Sequence, residues 1–546
     1  MSGDVKRFTR RGLLAGAAGL GGLSLLGHPL ELAARELAGH GTGKRSAGSA
    51  ADRLQRAYEV RVQAAKLAQS GGIPRHRSNG DEERFPGIAC YSKGLPHNPL
   101  GEADPRAYEI LLGALRTGKP EDFERIPLGG FVKLANPQAA LAFDLLGPDA
   151  CQPVCQPAPG FASPEQGGEL IELYWKALAR DVPFMEYEEN PLIQEAAREL
   201  SKLLEFRGPK EGGKITPRTL FRGATAGDLA GPYISQFLWK PIPWLPLKVE
   251  QKIRTAVPGV DYMIDRSGWL AVQNGAIAGV NRFDDKPRYI RNGRDLGEYV
   301  HRDFTYQSFQ GACLIALKAG TQPDGGNPYK HSRTQSAFGT FGQPYLLYLL
   351  AVVTQVALKA CWYQKWLVHR RIRPEEYGGR VEMAAATSPA RYSLPPGLLE
   401  SRALEETRRR FGTALLPQAY PEGCPTHPSY PAGHAVIAGA CATVLKACLN
   451  ESHVLPEPVV ASADGLSLQP WKGADLTVGG ELDKLAANTA LGRNFAGVHW
   501  RSDGLEGLKL GEDVAIRVLK ELSYTGNELF SGWSLKNLEG NPITVR

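Results

Sequence analysis

The sequence predicts a mainly α fold of packed helical bundles. Three observations carry that prediction. Apolar residues recur at helical spacing through most of the chain. Strand-like alternation is rare and short. Finally, 42% of 546 residues are hydrophobic, enough for a large core in one big domain or two packed halves. The charged fraction of 22% is neither disordered nor fibrous in character. The balance of 64 basic against 57 acidic residues leaves +7, a mild excess that favours anionic small molecules. No basic run is interleaved with aromatics, so the charge does not point to nucleic acid.

The elements follow in order. Arg10-Arg11 before a Gly/Ala/Leu stretch ending near Leu26 has the form of a twin-arginine export signal. The stretch is shorter than the roughly 20 apolar residues of a membrane span. It predicts a mature protein that is periplasmic or secreted and not membrane-bound. Ala33, Ala34 and Ala38 offer small residues for cleavage, so 1–40 is set apart as signal and mobile N-terminus. An N-terminal helical half follows over 50–340. A helix is expected at 51–69, with Leu54, Tyr58, Val62 and Ala65 on one stripe, and an extended Gly/Pro/Asn/Asp-rich loop at 70–105. Helices also fit 105–117, 136–145, 164–180 and 192–205, whereas 207–300 reads as irregular.

The third segment, 341–546, is a C-terminal helical bundle. Its longest helix runs from about Pro344 to Val368 and is apolar nearly all round, which suits a buried bundle helix better than a span. Pro374 disfavours helix at Arg373 and should end it nearby. A second helix starts at 432–435 and is filled with small residues that permit close approach; others cover 481–495 and the stretch from His499 onward. Four apolar helices with short connections make a bundle. The eight cysteines form no CxxC pair; Cys441 and Cys448 read as buried thiols, and Cys151 and Cys155 are the better disulfide candidates.

Three motifs in this third carry chemistry: Lys365 and Arg373 in KWLVHRRIRP, His427 and His434 in HPSYPAGH, and Arg493 and His499 in GRNFAGVH. Taken singly each is weak; Lys365 and Arg373 would stand about 80° apart on an ideal helix. Gathered together, the three cations would repel by about 4 kcal/mol per pair at roughly 4 Å in a dielectric of roughly 20. A multiply charged oxyanion reverses that sign, and arginine forks match its oxygens. Gly433 at a helix start lets a backbone N–H approach such an anion. His434 beside it can move a proton. Asp503, four residues after His499, can orient that imidazole and leave its other nitrogen free as ligand or nucleophile. No HExxH, HxH or EF-hand pattern offers a site with several metal ligands.

These motifs closely resemble the vanadium-dependent haloperoxidases, which share their site with the type 2 phosphatidic acid phosphatases. The eight-residue step from Lys365 to Arg373 and the run Pro425–Pro431 look like the algal and cyanobacterial bromoperoxidase branch. So do GDEERFPG (80–87), SKGLPHN (92–98) and ELYWKALARDVPF (172–184), which extend the resemblance over nearly all of the chain after the signal. The resemblance implies two four-helix bundles and one orthovanadate per subunit. His499 would bond vanadium. Lys365, Arg373, Arg493 and the Gly433 N–H would bind its oxygens, His434 would act as acid–base, and His427 would tune acidity or halide access. Trp362 would line the pocket. It further implies hydrogen peroxide, a halide (bromide foremost) and a small organic acceptor as reactants, and a homodimer or larger homo-oligomer. One departure stands out: Ala432 occupies the place of a family serine that donates to a vanadate oxygen, a hydrogen bond to a charged group worth about 1.5–3 kcal/mol. Gly492 likewise replaces a serine of many superfamily members. Two other functions suit the same pocket. One is an acid phosphatase with His499 as phosphohistidine nucleophile and His434 as leaving-group acid; the other is a non-catalytic, secreted phosphate-binding or shell protein.

Overall fold

The computed structural model describes residues 49–244, 246–301, 306–386 and 391–546. The expected export signal lies outside them. Residues 60–546 form one compact unit; the other unit, 1–59, contributes described residues only from 49 onward. Helices α1 (Ala50–Ser70), α2 (Pro105–Thr117), α3 (Pro164–Ala179) and α4 (Pro191–Leu200) stand where helical spacing predicts them. Proline opens α2, α3 and α4, where its missing N–H costs nothing, and Asp104, Ser163 and Asn190 cap them by accepting from backbone N–H groups. The α1 stripe is not a core face: none of its residues is buried. The helix expected over 136–145 is only a 3-10 turn, Pro137–Leu141. The stretch read as irregular holds α5 (Arg266–Gln273) and α6 (Gly293–Tyr299), followed by α7 (Tyr306–Lys318).

The C-terminal bundle is α8 (Gln343–Tyr363), α11 (Gly433–Cys448), α12 (Val478–Phe495) and α13 (Arg501–Ser523), with α9 (Pro374–Ala386) and α10 (Arg402–Phe411) between its first two members. Among the described residues the strands form three short antiparallel hairpins: Ile242–Trp244 with Leu247–Val249, Val459–Ala461 with Leu468–Pro470, and Trp533–Lys536 with Pro542–Val545. Helix α11 lies at the centre, packed on α8, α12 and α13. Its small residues allow that. A Cβ on Gly439 would lie 2.1 Å from the Leu508 carbonyl oxygen, and one on Gly511 2.0 Å from that of Val436, so α11 and α13 cross backbone to backbone. Helix α8 is long and apolar enough to cross a membrane, and it buries one face through Leu349, Val353, Val356 and Ala360. All eight cysteines are free thiols, so the pairing expected of Cys151 and Cys155 is not formed.

Candidate active site

The end of α8 builds the first wall. The helix loosens into a π turn over Gln364–His369, and Arg370 then takes a left-handed conformation (φ 37°), its guanidinium forked on Glu82. Lys365 and Arg373 are therefore not on one helix, and the ideal-helix angle between them does not apply. As expected, Arg373 before Pro374 is not helical and the helix ends at His369; Pro374 begins the next one. The π turn aims Lys365 inward, where Nζ donates to the carbonyls of Pro428 (2.7 Å) and Ser429 (2.8 Å). Burial pushes its pKa down to about 7; Arg373 and Arg493 act in the same direction against Cys361 and Asp503.

Arg373 is fully buried and reaches three segments. Nε donates to the His427 carbonyl (2.9 Å), Nη1 to the Val498 carbonyl (2.8 Å) and His499 Nε2 (3.0 Å), and Nη2 to His427 Nδ1 (3.0 Å). A guanidinium can only donate, which fixes both imidazoles as neutral. His427 Nδ1 also lies 3.1 Å from the Pro428 carbonyl oxygen. His499 carries its proton on Nδ1, given to Asp503 Oδ2 at 2.8 Å, and leaves Nε2 unprotonated, where it accepts from Arg373 Nη1. Burial holds both rings far below the usual histidine range; Lys365 then Arg373 add to it at His427, Arg373 then Lys365 at His499.

Arg493 closes the far side from the last turn of α12. Its Nη1 donates to the Val300 carbonyl (2.8 Å), its guanidinium stands 5.4 Å over the Tyr420 ring, and its buried Nε has no partner. His434, half-buried, donates from Nε2 to the same Val300 carbonyl at 3.0 Å. Gly433 is the first residue of α11, and its cap, Ala432, has no side-chain bond to offer. A Cβ on Gly433 would point to Trp362 Cζ3, 3.4 Å away, and the Trp362 ring lies 4.9 Å from that of His427. Thus Lys365, Arg373, His427, Gly433, His434, Arg493 and His499 converge on one site with Trp362 and Ala432 at its wall.

Asp503 does face His499, but not as a neighbour along a helix face. His499 precedes α13, and Asp503, in its first turn, accepts from the Trp500 N–H at 3.1 Å. It accepts in addition from the Ser429 hydroxyl and from Arg371 Nη1 (2.8 Å). Arg371 and Ser429 are not among the site residues expected from the sequence, because neither stands at a position that the charge pattern alone assigns to the anion. The only signal was that three arginines in that motif exceed what one anion needs.

Among the described residues, no carboxylate forms an ion pair with Lys365, Arg373 or Arg493, and no cluster of His, Cys, Asp and Glu could hold a metal ion by itself. Three buried cations, an unpartnered guanidinium N–H, an open helix start and one bare imidazole nitrogen fit a small oxyanion whose central atom accepts a nitrogen ligand.

Comparison with known proteins agrees. Residues 346–527 match the family model described as "VCPO second helical-bundle domain". The chain is 36% identical to a vanadium-dependent bromoperoxidase of Ascophyllum nodosum over 90% of its length and 94% of that protein's. It is 33% identical to one of Corallina pilulifera, covering 91% of this chain and all of the relative. The solved structure of a second, homohexameric vanadate-dependent bromoperoxidase from Ascophyllum nodosum superposes with a TM-score of 0.85 at 29% identity, over 93% of this chain and 94% of that one. With the anion cradle in place and relatives matched over nearly their whole length, the chain belongs to the vanadium-dependent bromoperoxidases.

Proposed function

We propose that each subunit holds one orthovanadate in this cradle and uses hydrogen peroxide to oxidise a halide, bromide foremost, to hypohalous acid that halogenates a small organic acceptor. Arg373, Arg493, Lys365 and the Gly433 N–H hold the anion's oxygens, and His499 Nε2 bonds vanadium. Bound vanadate supplies a Lewis-acidic centre that activates peroxide without changing oxidation state. The protein does the rest. Arg373 and Arg493 keep their charges in a water-poor site, where preorganised cations stabilise negative charge strongly. His434, the more accessible histidine, accepts and returns a proton at the rim. Lys365, with its lowered pKa, holds a proton that it can also release. The imidazole of His427 and the Trp362 ring shape the approach of the halide.

One observation supports this function: His499 Nε2, its ring held by Asp503, faces buried cations that pair with no carboxylate among the described residues. The test loads purified protein with orthovanadate, dialyses it, and adds peroxide, bromide and a halogen-accepting dione, with a phosphate ester offered in parallel to vanadate-free protein. Bromination that needs vanadate is expected. Ester hydrolysis without bromination would select the phosphatase, and silence in both a non-catalytic anion binder. His499→Ala should lose vanadium on dialysis; unchanged vanadium content would remove His499 as the ligand. We further propose a homo-oligomer, as in the homohexameric relative, checked by native mass spectrometry, and export through the Arg10–Arg11 signal, checked by fractionation of cells carrying Arg10→Lys/Arg11→Lys.

A further inference from the structure

We propose that Arg371 is a positioning residue for the cofactor: it pins Asp503 so that His499 presents Nε2 to vanadium, and it anchors that geometry on helix α3. The inference rests on the vanadate reading above. Arg371 is buried, and both terminal nitrogens of its guanidinium are engaged at the site wall, whereas its Nε has no partner among the described residues. Nη1 donates to Asp503 Oδ1 (2.8 Å) and the Ser502 hydroxyl (2.7 Å); Nη2 donates to Gln166 Oε1 (2.6 Å) and Glu169 Oε2 (3.2 Å). Glu169 in turn accepts the Ser502 N–H (2.8 Å) and hydroxyl (2.8 Å). The cation is framed by the rings of Trp500 (5.1 Å) and Tyr430 (5.8 Å).

Two consequences follow from this arrangement. The first is orientation. A carboxylate can turn about its Cβ–Cγ bond, and only one of its oxygens can serve His499 Nδ1. With Oδ1 held by Arg371, Oδ2 is left to receive His499 Nδ1, the Trp500 N–H and the Ser429 hydroxyl. The imidazole tautomer and plane are fixed at one remove. The second is charge separation. Asp503 is fully buried and needs a countercharge. Arg371 supplies one from outside the cradle, so Lys365, Arg373 and Arg493 remain available to the anion. Gln166 and Glu169 come from α3, more than 200 residues earlier in the chain, which ties the N-terminal half to the vanadium ligand.

The prediction separates vanadate from phosphate. Both anions need the cations, but only vanadium takes a ground-state bond from the imidazole. Equilibrium dialysis of orthovanadate and of inorganic phosphate against Arg371→Lys and Glu169→Gln proteins, with a thermal melt of each, reads the ratio of the two affinities. We expect Arg371→Lys to weaken vanadate about 10- to 100-fold, the usual effect of losing a partner of a ligating histidine, with phosphate changed less than about twofold. Glu169→Gln, a milder change that keeps the guanidinium, should shift the ratio in the same direction by less. Equal weakening of both anions, or an unchanged ratio in both variants, would overturn the proposal. A wild-type protein with no preference for vanadate over phosphate would overturn it together with the reading on which it rests.

Discussion

At the scale of single residues the site is a problem in proton and charge placement. Lys365 is the clearest case. Its ordinary pKa of 10.5 falls to about 7 because burial disfavours the ammonium. The unfolded chain keeps that proton up to the ordinary value and the folded chain releases it near 7, so this group's contribution to stability rises with pH across that window. Anion binding has the opposite preference, because a nearby negative charge favours the charged lysine. We therefore expect phosphate or vanadate binding above about pH 7 to draw a proton from solution, and affinity to weaken as pH rises. Calorimetry of phosphate binding at pH 8 in buffers of different ionisation heat would read the uptake. Proton uptake that persists undiminished in Lys365→Met would assign it elsewhere. Ala432 gives a second prediction. It caps α11 without a side-chain acceptor, where a serine hydroxyl would hold a helix N–H or an anion oxygen. Ala432→Ser should stabilise anion-free protein by about 0.5–2 kcal/mol, and a hydrogen bond of about 1.5–3 kcal/mol to the anion would tighten vanadate about 10- to 100-fold. Unchanged melting and unchanged vanadate affinity would show that the hydroxyl meets neither group. The cations and histidines were legible in the sequence because buried charge in short motifs has few other uses. The proton position on His499 was not, since it depends on Asp503 and Arg373 meeting the two ring nitrogens.

At the scale of elements, helix crossings set the dimensions of the cradle. The heads of α11 and α13 both face the site, and the Ala432 N–H donates to the Asp503 carbonyl at 2.9 Å. That contact requires the close crossing at Gly439 and Gly511. Gly439→Ala would press a methyl onto the Leu508 carbonyl, a backbone atom that cannot swing away. The expected cost is about 1–3 kcal/mol, seen as a lower Tm, accompanied by weaker vanadate retention because the two helix heads separate. A normal Tm with normal retention would mean the helices part without disturbing the site. The small-residue run of α11 announced this crossing in the sequence. Helix α9 gave no such notice. Its Glu375, Glu376 and Arg380 look like a solvated face, yet all are buried. Glu375 meets Lys93 (2.7 Å), Gln273 (3.0 Å) and the Cys424 N–H (2.6 Å), whereas Glu376 accepts the N–H groups of Ser92, Lys93 and Arg373. Periodicity cannot find a helix whose buried face is charged, because most of its partners, Lys93 and Ser92 above all, come from other parts of the chain.

At the scale of the whole molecule, the upstream motifs that carry the family resemblance turn out to be the braces of the C-terminal site. Lys93 in SKGLPHN holds Glu375 and the carbonyls of Glu422 and Cys424, just before the HPSYPAGH loop. Glu172 in ELYWKALARDVPF does the same for α13. Its Oε2 accepts Arg501 Nε at 2.9 Å, its Oε1 accepts Arg501 Nη2 at 2.5 Å, and Lys176 lies 3.3 Å away, all fully buried. Burial alone would raise the Glu172 pKa, but Arg501 and Lys176 outweigh it and hold it below the usual carboxylate range. Its contribution is therefore complete above the ordinary value of 4.5 and fades as pH falls through the lower, folded one. Arg501 is the first residue of α13, two positions from both His499 and Asp503. Glu172→Gln would leave two buried cations facing an uncharged amide, and breaking a buried pair from one side costs about 3–5 kcal/mol. We expect a correspondingly lower Tm at neutral pH and a smaller loss of stability on acidification than wild type shows. Saturating vanadate should restore part of that Tm, because an anion bound to the folded state alone at about 100 times its Kd adds about 2.7 kcal/mol. A variant that melts with wild type would mean that α13 is held by its apolar packing on α11 alone. A variant that melts early but recovers nothing with vanadate would mean that the strain at Arg501 reaches His499 and disables the ligand itself.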